Sequence, residues 1–247
     1  MRFFGIDLAF KDNNRSGLFV LDEEGAEISH TYAASDTEIV EYVLGHLHSE
    51  GNVIAIDGPL IVPNHSGQRA CETSVGRTYG SRGASCHSAN TQLHSGQRGP
   101  ALVKKLQALR SEMQVAVDAT NTSALKFPII ETYPHPGHIE LFGLDGILRY
   151  KQKSGRNMAT CRMAMAQYQA HLVGLGTMNP ALKTATIGLL EVDIQGLRGR
   201  LYKQHEDLLD ALFCAYVALY LWTHRFNSSK YKVFGDVETG SITIPIQ

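Results

Sequence analysis

Short apolar runs broken by polar turns mark out most of the elements of this chain. Phe3–Ala9 is the first, followed by the polar turn Lys11-Asp12-Asn13-Asn14-Arg15. Ser16–Leu21 and Ala26–Tyr32 are two further strand-like runs, and the acidic Asp22-Glu23-Glu24-Gly25 between them reads as a hairpin turn. Three strands in quick succession predict an antiparallel meander. Over Asp36–His48 the residues Ile39, Val40, Val43, Leu44 and Leu47 recur at helical spacing, with Ser35 or Asp36 as the cap. Val53–Ile56 is wholly apolar and suits a central strand. The opening pattern is β-β-β-α-β.

From Gly58 to Gly99 the periodicity disappears, which predicts a long loop of the functional kind. Helical spacing returns over Pro100–Val117 through Leu102, Val103, Leu106, Leu109, Met113 and Val117. Phe127–Tyr133 reads as a strand closed by Pro134-His135-Pro136. A helical hairpin is expected over Gly155–Leu175 and Ala181–Leu190, then a long apolar helix over Leu201–Thr223. Tyr231–Phe234 and Ser241–Pro245 read as a closing hairpin. There is no internal repeat.

With 247 residues, 43% of them hydrophobic, and a formal charge of −1, the chain has the composition of an ordinary globular protein, not a disordered tail. One domain over 1–247 is expected. The longest strongly apolar stretch, Ala211–Trp222, is too short to cross a bilayer, so no membrane partner is expected. An acid at Asp7 comes too early for a signal peptide. Cys71, Cys86, Cys161 and Cys214 form no C-x-x-C pair and read as reduced thiols, so a cytoplasmic location is expected. The near-neutral total hides an asymmetry. Between Asn64 and Gly99, Arg69, Arg77, Arg82 and Arg98 face only Glu72, a surplus of +3 that leaves −4 to the remainder.

Three apolar runs end in an acid: at Asp7, at Asp57 and at Glu131. A carboxylate at the rim of a core strand is costly unless a cation compensates it. Strand ends often carry acids simply because they meet water. Here, however, Asp7 and Asp57 are followed by small or apolar residues. A fourth signal is His205-Glu206-Asp207-Leu208-Leu209-Asp210-Ala211. Asp207 and Asp210, three apart, share a helix face. Acids favour the first turn of any helix, which accounts for Asp207 better than for Asp210, since Asp210 leads straight into the apolar stretch. Two strand-end and two helix aspartates converging would suit Mg²⁺ or Mn²⁺ and the hydrolysis of phosphodiesters.

At these residues the chain resembles a known group. Gly5-Ile6-Asp7 opening a β-β-β-α-β pattern, with Asp-x-x-Asp-Ala on a late helix, is similar to the RNase H-like superfamily, nearest its RuvC-type resolvase branch. Gly5-Ile6-Asp7-Leu8-Ala9, Ile56-Asp57-Gly58-Pro59-Leu60, Arg69-Ala70-Cys71-Glu72, Glu131-Thr132-Tyr133-Pro134-His135-Pro136 and Asp207 through Ala215 together resemble domain-of-unknown-function family 429, described as predicted RNase H-like nucleases. The resemblance implies an α/β fold with a mixed five-stranded sheet in the order 3-2-1-4-5, flanked by helices, with helical insertions and a C-terminal hairpin. It implies Asp7, Asp57 and Asp210 as metal ligands, with Asp207 beside them. Asp57 would stand where the RuvC branch has Glu. Glu131 has no firm equivalent: it would be an outer ligand, a substrate contact or an anchor for the turn that follows.

The Asn64–Gly99 segment follows the Asp57 strand end, so Arg69, Arg77 and Arg82 are candidates for holding phosphates. His135 either caps its turn or meets substrate. His205 is a proton donor or a helix-start histidine. Lys203 and Arg200 would offset the acids or contact phosphate. The expected activity is metal-dependent cleavage of DNA or RNA. Two alternatives remain: an actin-like or sugar-kinase-type nucleotide phosphohydrolase or phosphotransferase, and a catalytically silent nucleic-acid-binding module. The kinase class needs a second phosphate loop from a repeated half, for which Gly174-x-Gly176 is too slight.

Overall fold

The computed structural model describes residues 1–10, 14–116, 125–236 and 238–247. Lys11, Asp12 and Asn13 of the predicted turn, the predicted helix end at Val117, and Val237 in the closing hairpin lie outside these residues.

The meander forms as the pattern predicts. β1 (Arg2–Asp7), β2 (Ser16–Asp22) and β3 (Glu27–Ala33) pair antiparallel in sequence order. The carboxylate of Asp22 makes the turn by accepting the Glu24 and Ala26 N–H groups at 2.9 and 2.8 Å. α1 (Asp36–Gly45) starts on Ser35, whose hydroxyl accepts the Glu38 N–H. β4 (Asn52–Asp57) then runs parallel to β1, with Asp7 directly beside Asp57.

The Gly58–Gly99 stretch is largely ordered rather than a long loop. α2 (Ala70–Tyr79) occupies its middle, and α3 (His94–Leu109) begins six residues before Pro100. Its glycines conceal the helix start from periodicity. A side chain at Gly96 would overlap the Asn90 backbone, and one at Gly99 the Pro59 carbonyl. Close packing, not hydrophobic spacing, sets that end.

α3 stops at Leu109, and Met113–Val115 forms the short strand β5 instead of a last helical turn. β5 pairs with one side of β6 (Phe127–Thr132), whose other side pairs with β4. α4 (Pro134–Leu141) follows at once: the prolines that close the strand open a helix, where Pro is tolerated in the first turn. α5 (Met158–Gly174) is the first half of the predicted helical hairpin. The second half is only short 3₁₀ turns at Thr184–Thr186 and Gly188–Glu191, where threonines and a glycine weaken an α-helix. The long helix, α6, spans Gly199–Thr223, and β7 (Tyr231–Asp236) with β8 (Gly240–Pro245) forms the closing hairpin.

The sheet is mixed, as expected, but has eight strands rather than five. Its order is β3-β2-β1-β4-β6-β8-β7, with β5 also on β6. Two features enlarge it. β5 uses part of a β6 edge that would otherwise stay unpaired, and the C-terminal hairpin joins the same sheet through Thr132 and Thr243. There the Thr132 hydroxyl also donates to the Thr243 carbonyl at 2.9 Å.

Strand alternation divides the core. Phe4, Ile6, Ile54 and Ile56 pack with Ile39, Val43, Leu102 and Leu106 of α1 and α3. Phe3, Val53 and Ala55 face α6 on the other side. α6 is buried continuously from His205 to Leu221, because α5 and the 182–194 strap cover the side turned away from the sheet. None of the described helices is long and apolar enough to cross a membrane.

Candidate functional site

β1 and β4 end side by side, so Asp7 and Asp57 project from adjacent strands on the face that carries Phe3, Val53 and Ala55, toward α6. Gly5 and Gly17 let the helix come close. A side chain at Gly5 would overlap the Ala211 carbonyl, and one at Gly17 the Asp207 carbonyl. The N-terminal part of α6 therefore delivers Asp207 to the strand ends, close enough to Asp7 for each to act on the other's charge.

Asp7, Asp57 and Asp207 line a cavity of about 830 Å³. Burial, with repulsion from neighbouring carboxylates, raises the pKa of all three. For Asp207 the result is about 8, with burial first and Asp7 second among the causes.

Asp210 differs. It is fully buried and does not line the cavity. The Tyr150 hydroxyl donates to its Oδ1 at 2.7 Å, and the Lys151 ammonium lies 2.7 Å from its Oδ2. Burial pushes its pKa up, but Lys151 outweighs burial and holds the group below the ordinary value. The charge of Lys151 also reaches Asp7, Asp57 and Glu206, and these carboxylates keep it protonated despite burial. On the outer side, Lys203 lies 2.7 Å from Glu206 Oε1 and 2.5 Å from Asp207 Oδ1. Five carboxylates, those of Asp7, Asp57, Glu206, Asp207 and Asp210, thus share two ammonium groups.

Glu131 also lines the cavity, with Arg69 and Glu72, but it comes from the other face of the sheet for a register reason. It pairs with Ile56, not Asp57, so it points to the opposite face of the sheet. Arg69 meets it there with two hydrogen bonds, 2.9 Å from Nη1 and 2.6 Å from Nη2, and reaches Glu72 with Nε at 2.8 Å. The Leu60 N–H donates to Glu131 at 2.8 Å, and the Ala89 N–H to Glu72 at 3.1 Å. Arg69 and both glutamates are buried. The triad clamps α2 and its flanking loops to β6.

The other loop arginines are also mostly committed within the protein. Arg98 pairs with Asp36 at 2.9 Å, and Arg82 donates to the carbonyls of Leu144 and Asp145. Arg77 is exposed on α2, and neither it nor Arg82 lines the cavity. Arg69 is the loop arginine that does line it, and the cavity's other cations are Arg15, Lys151, Lys153, Arg156, Arg200 and Lys203. Of these, Arg15, Lys153 and Arg200 are exposed and pair with no carboxylate among the described residues.

His135 lines the cavity, and burial drives its pKa to about 3, so its ring is neutral. His138 lies deeper, with Nε2 2.9 Å from the Tyr168 hydroxyl. His205 is also held neutral by burial, at about 4, and sits 3.3 Å from the Gln169 side chain.

Sequence reasoning passed over Tyr150 and Lys151. A signal was present: Arg149, Lys151, Lys153 and Arg156 crowd one short stretch with no acid among them.

The family model described as "Protein of unknown function (DUF429)" matches residues 5–233, and the chain belongs to that family. No curated protein and no solved structure matches it.

Proposed function

We propose that this member of the family is a divalent-metal-dependent hydrolase of nucleic-acid phosphodiester bonds, built on an RNase H-like core. The observation that carries this is the charge deficit at the cavity floor. Asp7, Asp57 and Asp207 all line the cavity with their charged forms disfavoured, and the exposed cations Arg15, Lys153 and Arg200 line it too.

Among the described residues no group of three or more His, Cys, Asp or Glu side chains stands ready-made as a metal cage. The chemistry of the donors nevertheless fits Mg²⁺ or Mn²⁺: hard carboxylate oxygens, with pKa values raised first by burial and then by neighbouring carboxylates, a penalty on the charged form that a cation would relieve. Asp7, Asp57 and Asp207 would hold the ion. When bound, it supplies Lewis acidity toward a phosphoryl oxygen and an acidified water.

The chain's own groups do the rest. Arg15, Lys153 and Arg200 attract the phosphate backbone and offset the acids beneath it. His135, uncharged, offers a hydrogen-bonding wall that adds no further charge to the site. Asp210, fully buried, is the partner of Lys151 and Tyr150 in the metal-free protein and does not face the substrate.

A second reading, hydrolysis of a small phosphorylated substrate such as a nucleotide, is favoured by the cavity's size. About 830 Å³ is in the range of small-ligand sites. A polymer would have to enter by an end or an unstacked nucleotide.

The test is Mn²⁺-dependent cleavage of labelled single-stranded, duplex and branched DNA and RNA, with nucleotide turnover measured in parallel. Cleavage that needs metal and is lost in Asp7→Asn supports the first reading. Turnover of nucleotides alone supports the second. No hydrolysis of either kind leaves a binding module.

A further inference from the structure

We infer that Lys151 is a built-in counter-cation that competes with the divalent metal ion for the acid cluster, holding the site in the free protein and giving way when metal binds. This rests on the metal reading above and adds a regulating residue to it.

The geometry singles out Lys151 from the other cavity cations. Its ammonium lies 2.7 Å from Oδ2 of Asp210, a residue with no exposed surface, whose Oδ1 is taken by Tyr150. Its charge is felt by Asp7 and Asp57, the two strand-end carboxylates the ion would need. An ammonium and a divalent ion placed against the same carboxylates repel one another, and the repulsion is large where water is scarce.

Lys151 can leave without unfolding anything. Its backbone is anchored, because its carbonyl accepts Arg156 Nη1 at 2.9 Å and the neighbouring Tyr150 carbonyl accepts the Tyr202 hydroxyl at 2.6 Å. The flexible four-carbon stem moves alone. The side chain is 25% exposed and lines the cavity, so its path out leads toward the place a substrate phosphate would occupy. Lys203 is tied on the outer side of the cluster, to Glu206 and Asp207, and its stem is more than half exposed.

The test compares Mn²⁺ binding by calorimetry in the wild type, Lys151→Met and Lys153→Met, with thermal melts with and without metal. Lys151→Met should bind Mn²⁺ on the order of tenfold more tightly than the wild type or better. Its metal-free form should melt lower, and metal should restore the difference. Lys153→Met, which removes a rim charge but no buried ion pair, should show a smaller change in both. Equal or weaker Mn²⁺ binding by Lys151→Met, or binding by neither protein, overturns the inference.

Should Lys151→Met not fold, the wild type answers by NMR of its lysine ammonium groups, with Lys151→Arg supplying the assignment. A protected Lys151 signal that vanishes as Mg²⁺ is added supports displacement, and a signal unmoved by saturating Mg²⁺ rejects it. Cleavage assayed alongside separates the two levels. Tighter metal binding by Lys151→Met without any hydrolysis removes the nuclease reading and leaves the competition standing.

Discussion

Gly5 of β1 lies against the carbonyl of Ala211 in α6, so closely that a methyl group there would overlap it. The contact sets how near the helix comes to the sheet. That distance in turn decides whether Asp207 reaches Asp7. Gly5→Ala cannot be relieved by turning a side chain, because the obstacle is backbone. It should cost about 3 kcal/mol or more in chemical denaturation. Divalent-metal binding should weaken in whatever folded protein remains.

Arg69 supports a second prediction. Removing it leaves Glu72 and Glu131 buried without their cation. Arg69→Ala should lower stability by about 3–5 kcal/mol, measured by urea titration. Adding Glu131→Gln to Arg69→Ala should recover part of that loss, because one orphaned charge is gone. An additive double variant would show the pair to be uncoupled.

Asp57 should behave in the opposite sense. Burial and the neighbouring Asp7 disfavour its charge in the metal-free protein. Asp57→Asn should therefore raise the metal-free melting temperature by roughly 2–4 °C, the shift that accompanies about 1 kcal/mol in a chain of this size. The same change should abolish Mn²⁺-dependent stabilisation and any cleavage. A functional carboxylate that costs stability is the expected signature of a binding site left without its cation.

The pH dependence follows from two sets of groups. Asp207 titrates near 8 when folded against an ordinary value of 3.8, so the folded state binds the extra proton in between. Its contribution is present below about 4 and is lost as pH rises toward 8. His135 and His205, near 3 and 4 when folded against 6.5, act the other way. Their contribution is present above 6.5 and is lost as pH falls through those values. Metal-free melting temperatures should thus decline from pH 6.5 to 8, where the histidines no longer change. Saturating Mg²⁺ should flatten that decline by replacing the proton. A melting temperature that stays level over this range without metal would argue against a raised pKa at Asp207.

On the proposed reading, the rim cations should matter more for substrate binding than the loop arginines. Replacing Arg15, Lys153 and Arg200 together with Ala should weaken nucleic-acid binding across sequences. The log–log salt slope should drop by roughly one per lost phosphate contact. Stability should change little, since all three are exposed and unpaired with carboxylates among the described residues. Filter binding at several salt concentrations reads the slope directly.

What local pattern determined by itself is clear from the meander, α1, β4 and α6. Their apolar spacing and turn residues select strand or helix with little help from distant contacts. The same spacing marked Asp7, Asp57, Asp207 and Asp210 as acids bordering a core, because a carboxylate at the end of an apolar run stands out in one dimension. Charge compensation does not, since its partners lie far apart in the chain. Arg69 looked like a free phosphate ligand until β6 brought Glu131 to it across 62 residues. Lys151 had no visible role until α6 placed Asp210 beside it, 59 residues on. Glu131 ended a strand as Asp57 did, and only the pairing register put it on the other face. The start of α3 and the strand β5 likewise depended on close backbone packing and on an open strand edge. Tertiary structure decided these because an ion pair, a sheet register or a glycine contact is a relation between distant segments. Hydrophobic periodicity records only which face each segment buries.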